Sequence, residues 1–146
     1  MSEVMTIHKL NPERKRIWVA ALRSGKFRQT VGKLADAAGY CCYGVACVLS
    51  GVRKEFNITR DRYLFGEPES NNQRWEHMPP SVSAWLGIPP NDYNGGRLLI
   101  PALDTDREEL LSHVVNLDGA RYYYADNLND AQFTFEEIAT LIEERL

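Results

Sequence analysis

The sequence predicts a single α+β domain covering residues 1–146. Three principal helices, at about 12–24, 40–50 and 135–145, pack around the cysteine-rich middle one, with a small sheet or hairpins at one side. Three observations predict it. A stretch near each end carries a helix-start signal followed by apolar residues at helical spacing. The run Gly39-Tyr40-Cys41-Cys42-Tyr43-Gly44-Val45-Ala46-Cys47-Val48-Leu49 is almost free of polar side chains and holds all three cysteines, so it reads as a helix buried on most sides. The other apolar runs are short and divided by turn-rich loops.

Asn11-Pro12-Glu13 starts the first helix: Asn caps, Pro suits the first helical position, and Glu complements the dipole. Trp18, Val19, Ala20, Ala21 and Leu22 continue it to Gly25. Residues 26–33 read as a short extended segment with a turn, and 34–39 leads into the cysteine helix, which stops at Gly51. Residues 52–72 are polar and weakly patterned, with a strand at Arg62-Tyr63-Leu64-Phe65 and a loop over 66–72. Pro79-Pro80 opens a short helix holding Val82, Trp85 and Leu86 and ended by Gly87.

Residues 89–96 form a turn-rich loop, and Leu98-Leu99-Ile100 a strand. A helix is expected over 104–113, capped by Asp104 or Thr105, with Leu110 and Leu111 inward. Residues 114–124 suit a hairpin turning at Asp118-Gly119, and the boundary between that helix and the first strand stays open. Thr134-Phe135-Glu136-Glu137 is a capping box, and Phe135, Ile138, Ala139, Leu141 and Ile142 form one apolar face behind it.

Composition bounds the function. A chain of 146 residues, 44% hydrophobic and 25% charged, is ordinary for one globular domain with a real core. No apolar stretch approaches the roughly 18 residues of a membrane span. Residues 1–10 lack the basic-then-apolar pattern of a secretion signal. Three cysteines, two of them adjacent, make a poor disulfide framework, so reduced thiols and a cytoplasmic setting are expected. Net charge −3 argues against a dominant nucleic-acid role. The charge is uneven, however: basic residues crowd the first stretch and acidic ones the last. Either the two ends lie side by side and neutralise each other, or Arg23, Lys26 and Arg28 form a patch for a phosphate-bearing ligand.

Four pieces of the chain carry a resemblance. They are Trp18-Val19-Ala20-Ala21-Leu22-Arg23-Ser24-Gly25; Gly39-Tyr40-Cys41-Cys42-Tyr43-Gly44-Val45-Ala46-Cys47; Met78-Pro79-Pro80 through Trp85-Leu86-Gly87-Ile88; and Leu128-Asn129-Asp130 with Phe133-Thr134-Phe135-Glu136-Glu137-Ile138-Ala139. In this order they resemble a family of small uncharacterised proteins encoded by tailed phages and prophages. That resemblance implies a small accessory protein of the bacterial host cytoplasm and no known activity. Members usually carry Gly-Lys where this chain has Gln132-Phe133, which implies a less glycine-dependent turn before the last helix.

Several constellations could carry chemistry. Cys41 or Cys42 at a helix N-terminus could be a nucleophile with a lowered pKa, His113 its base and Asn129 the group that orients it. The competing reading makes all three thiols small core hydrophobes. Zinc is disfavoured, because Cys42 and Cys47 lie about 140° apart round a helix. The Leu128-Asn129-Asp130 step is either a bend fixed by side-chain bonds or a polar anchor in a ligand pocket. Gly44 inside a buried helix points to close contact with another backbone. Arg121 with Tyr122 and Tyr123, aided by Arg74 and Trp75, could stack a base or grip a partner; an expected strand here should leave at least one of Tyr122, Tyr123 and Tyr124 exposed. The reading favoured is a cofactor-free binding protein whose partner is a host bacterial protein or a small nucleotide-like ligand, using Arg23, Lys26, Arg28, Arg121, Tyr122 and Tyr123. The alternative is a cysteine-dependent hydrolase or transferase.

Overall fold

The computed structural model describes residues 9–66, 73–88 and 97–146. The expected loop residues 67–72 and 89–96, and His8, lie outside the described residues. Within them the chain is α+β. In order it forms α1 (Pro12–Arg23), β1 (Ala35–Asp36), β2 (Gly39–Tyr40), α2 (Cys42–Ser50), β3 (Lys54–Asn57), β4 (Arg62–Phe65) and α3 (Pro80–Leu86). Then follow β5 (Leu99–Pro101), α4 (Glu108–Leu111), β6 (Val115–Leu117), β7 (Ala120–Tyr124), α5 (Ala125–Asp130) and α6 (Phe135–Arg145).

Helix α2 is the centre. Every residue from Cys41 to Cys47 is buried. Glycine at 44 is required there: a Cβ would sit 1.9 Å from the carbonyl oxygen of Leu34. That same carbonyl accepts from the Cys41 N–H at 3.0 Å, so the segment before β1 and the start of α2 touch backbone to backbone. Helix α1 lies on α2 through Trp18, whose indole donates to the Cys42 carbonyl at 3.0 Å. Helix α6 lies on α1 and buries Ile138, Ala139 and Ile142. Asn11 caps α1 by accepting from the Arg14 N–H, and the Thr134–Glu137 capping box starts α6, both as the sequence dictates.

The strands form three separate antiparallel groups: β1–β2, β3–β4, and a three-stranded sheet in the order β5-β7-β6. Asp118 and Gly119 turn the β6–β7 hairpin with φ of 51° and 79°, the paired positive values of a type I′ turn. Four local expectations are corrected. The helix expected over 104–113 is only Glu108–Leu111, and neither Asp104 nor Thr105 caps it. Residues 34–40 form the small β1–β2 hairpin, folded round Asp36, whose carboxylate accepts from the Ala38 and Gly39 N–H groups. The polar stretch after α2 contains a strand, β3, that its lone aromatic does not announce. The residues 128–130, expected as a bend, end helix α5.

Candidate functional site

The thiols are structural. Cys42 and Cys47 are fully buried and Cys41 is 3% exposed. Burial pushes the Cys41 thiol up to about 12 and the other two also upward, so the neutral form persists at physiological pH. The helix N-terminus does not outweigh this desolvation, which corrects the expectation of a lowered pKa at Cys41 or Cys42. Nor does a papain-like constellation assemble among the described residues. The His113 ring packs edge-on against Phe133 at 5.5 Å.

Asn129 is engaged elsewhere. Its Oδ1 accepts from the Cys42 N–H at 3.1 Å and from Gln29 Nε2 at 3.1 Å, and its Nδ2 donates to the Thr30 carbonyl at 2.7 Å. Fully buried, it therefore caps α2 from a distant element and ties the 29–30 segment to it. Asp130 does similar work outside, accepting from the Gly32 N–H at 2.8 Å. Of the two readings of this step, side-chain bonds that fix the fold account for both residues.

Arg23, at the end of α1, meets the acidic face of α6. Arg23 donates to Glu136 at 3.1 Å, Glu143 at 2.9 Å and Thr140 at 3.0 Å. Lys9 and Lys15 reach backbone carbonyls of Arg145 and Glu143. At this seam Arg23 is neutralised by Glu136 and Glu143, and it is not part of a phosphate patch. Lys26 and Arg28 remain exposed beyond this clasp. The other expected ligand group is also dismantled: Tyr122 is 6% exposed, Tyr123 is fully buried with its hydroxyl donating to Asp106 at 2.7 Å, and Arg121 pairs with Asp104 at 3.0 Å. Tyr124 is half-buried under the Arg97 guanidinium, 3.7 Å from its ring, so none of the three tyrosines is exposed.

A groove of about 400 Å³ lies between α4 and α6, with Leu110, Phe133 and Leu141 in its floor. Its carboxylates are already taken: Asp106 by Arg145, Glu136 by Arg23 and Glu137 by Arg107. No charge is left over there to select a ligand. Asp126 holds a second knot, accepting from the buried Tyr43 hydroxyl at 3.0 Å and from Arg97 Nε at 3.0 Å, with His77 Nε2 3.7 Å away. The Tyr43 hydroxyl in turn accepts from the Leu98 N–H at 2.6 Å, so the knot joins α2 to β5. Among the described residues no three His, Cys, Asp or Glu side chains gather to hold a metal ion, and no helix is long and apolar enough to cross a membrane.

Among the described residues, the β3–β4 arm carries three of the exposed large hydrophobic side chains. Phe56 is 38% exposed, Ile58 at the tip 85%, and Trp75, on the segment that bridges β4, 37%. The Arg62 guanidinium lies 4.1 Å above the Trp75 ring. On the other face Phe56 meets Tyr63 edge-on at 4.9 Å, with the Lys54 ammonium 4.9 Å over Tyr63. Aromatics interleaved with cations are what the sequence reading sought, but they lie on an element it took as polar loop and single strand. Of the residues it singled out, only Trp75 and the neighbouring Arg74 belong here. The signal that could have found the arm was the pairing of Lys54-Glu55-Phe56-Asn57 with Arg62-Tyr63-Leu64-Phe65 across a four-residue turn.

Residues 10–146 match the family model described as Domain of unknown function (DUF8296). No curated protein and no solved structure matches the chain.

Proposed function

The chain belongs to the DUF8296 family, a domain of unknown function, and from its own residues we propose that it is a binding protein that docks on a host bacterial protein through the β3–β4 arm. The observation that carries this reading is the set of exposed apolar groups on the two faces and tip of the arm, with Arg62 stacked on the exposed Trp75. Solvent-exposed aromatics stacked by arginine are costly to leave bare and are the typical anchors of protein interfaces. The buried, neutral thiols support binding over thiolate chemistry. The resemblance of the four sequence pieces to phage and prophage proteins supports an accessory role in the cytoplasm of an infected bacterium, such as blunting a host defence.

Three immobilised forms test the reading in bacterial lysate: the native chain, an arm variant carrying Ile58→Asp and Trp75→Ser, and a control with Leu103→Ser. Leu103 is 48% exposed beside the separate three-stranded sheet. A protein held by the native chain and the control but lost by the arm variant is expected. Retention by the arm variant would overturn the assignment of the arm. A rise in Tm with nucleotides that survives in the arm variant would move the function to a small phosphate-bearing ligand instead.

A further inference from the structure

The arm ends in an open sheet edge, and its register states which backbone groups are free. Lys54 lies opposite Phe65 and Phe56 opposite Tyr63. Phe65 exchanges both backbone bonds with Arg74, at 2.8 Å each, so its N–H and C=O face away from β3. Lys54–Phe65 is therefore a non-hydrogen-bonded pair. The Gly66 N–H donates to the Arg53 carbonyl at 2.9 Å, which sets the same alternation. Glu55 and Asn57 thus bond to β4, while Lys54 and Phe56 direct their N–H and C=O groups outward. Among the described residues nothing pairs with that edge.

Resting on the reading of the arm as a docking surface, we propose that the partner supplies an extended acidic segment that adds as a strand to the outer edge of β3. Open edges of soluble proteins are commonly guarded by a projecting charge. Here the guard is drawn aside, because the Lys54 ammonium lies over the Tyr63 and Tyr40 rings at 4.9 Å and 5.8 Å. Backbone pairing gives such a strand its affinity, and alternate side chains give it specificity. Over residues 53–62 the arm carries Arg53, Lys54, Arg60 and Arg62 against Glu55 and Asp61, in a chain of net charge −3. That local excess of cations repels a second copy of the same edge and attracts carboxylates. Apolar residues alternating with those carboxylates would meet Phe56 and Ile58. A nucleic acid would use the same cations but offers no strand backbone to the four outward groups.

The test uses the full chain and three probes: a capped octapeptide alternating Glu and Val, its Lys–Val counterpart, and a thymidine 12-mer. Amide NMR shifts should map the Glu–Val peptide onto Lys54–Asn57 and slow hydrogen exchange at Lys54 and Phe56. The Lys–Val peptide should not bind. Replacing the residue at 56 by phenyllactic acid keeps the ring, removes the outward N–H and makes the Glu55 carbonyl a weaker acceptor toward β4; with the β3–β4 pairing shown intact by the amide shifts, it should weaken the Glu–Val peptide about fivefold. No binding of that peptide, binding indifferent to the ester, or preference for the 12-mer would overturn strand addition. With a lysate partner in hand, loss by the arm side-chain variant together with an unchanged Kd for the ester would reject strand addition and leave the docking reading standing. An unchanged Kd for both would reject the two together.

Discussion

Asn129 shows how a single buried amide fixes several elements at once. It answers one donor at the start of α2, one side chain at Gln29 and one carbonyl at Thr30. Asn129→Ala would leave the buried Cys42 N–H without its partner and release the half-buried Gln29 amide and Thr30 carbonyl, so a loss of about 2–3 kcal/mol in urea unfolding is expected. Gly44 is constrained by space rather than by polarity. Gly44→Ala would drive a methyl into the Leu34 carbonyl, and an expected loss of about 3 kcal/mol should appear in the same measurement. The thiols give a third expectation at this scale. With Cys41 held near 12 and the other two also raised, an alkylating reagent at pH 7 should modify no cysteine in the native protein and three after denaturation, counted by intact mass. One fast-reacting cysteine would return the thiolate chemistry to first place. Gln132 corrects an expectation of a different kind: its φ is 69°, so the turn before α6 still needs the left-handed conformation even though glycine is not there.

Among the elements, α6 depends most on local signals and β3 least. Its Thr134–Glu137 capping box is legible in four letters and is formed as read. Thr134→Ala should cost about 1 kcal/mol, read as a lower urea midpoint with an unchanged slope. The apolar face behind the cap sits on α1, and the charges along the seam follow from that placement. By contrast, α4 is shorter than its pattern suggests: the residues before it are held in a loop by Asp106, which bonds Leu103, Tyr123 and Arg145. Strand β3 is held by its partner β4 and not by its own alternation, so no single-strand signal reveals it. The arm was missed for that reason, and with it the surface on which the proposed function rests.

For the whole molecule, the ion pair of Asp106 with Arg145 closes the C-terminal helix onto the three-stranded sheet. Arg145 reaches Asp106 at 2.5 Å and 2.9 Å and also donates to the Pro101 carbonyl at 3.0 Å. Hydrogen bonding to Arg145 holds the Asp106 carboxyl well below the usual carboxylate range, against the opposing effect of burial. The group's contribution is therefore full above the unfolded pKa, about 4, and is lost as pH falls below it. Native protein should lose stability steadily in acid, and Asp106→Asn should be weaker at pH 7 yet flatter between about pH 4 and pH 2 in thermal melts. Asp36 and Glu137, also lowered by their bonded partners, act in the same direction, so the variant's curve should flatten only in part.

By itself the sequence determined the fold class, the three principal helices, the N-caps of α1 and α6 and the burial of the cysteine run. Each of these rests on interactions within a few residues or on a periodic apolar face, and both are written locally. It also held the key to Gly44, because a glycine in an apolar helix marks a close approach even before the neighbour is known. Only the tertiary structure decided which charges and aromatics are spent. Arg23, Arg121, Tyr122 and Tyr123 are ordinary candidates for a ligand surface until residues some 17 to 120 positions away are brought against them. The outward groups of β3 follow the same logic in reverse: they are free because β4 occupies one edge and, among the described residues, nothing occupies the other.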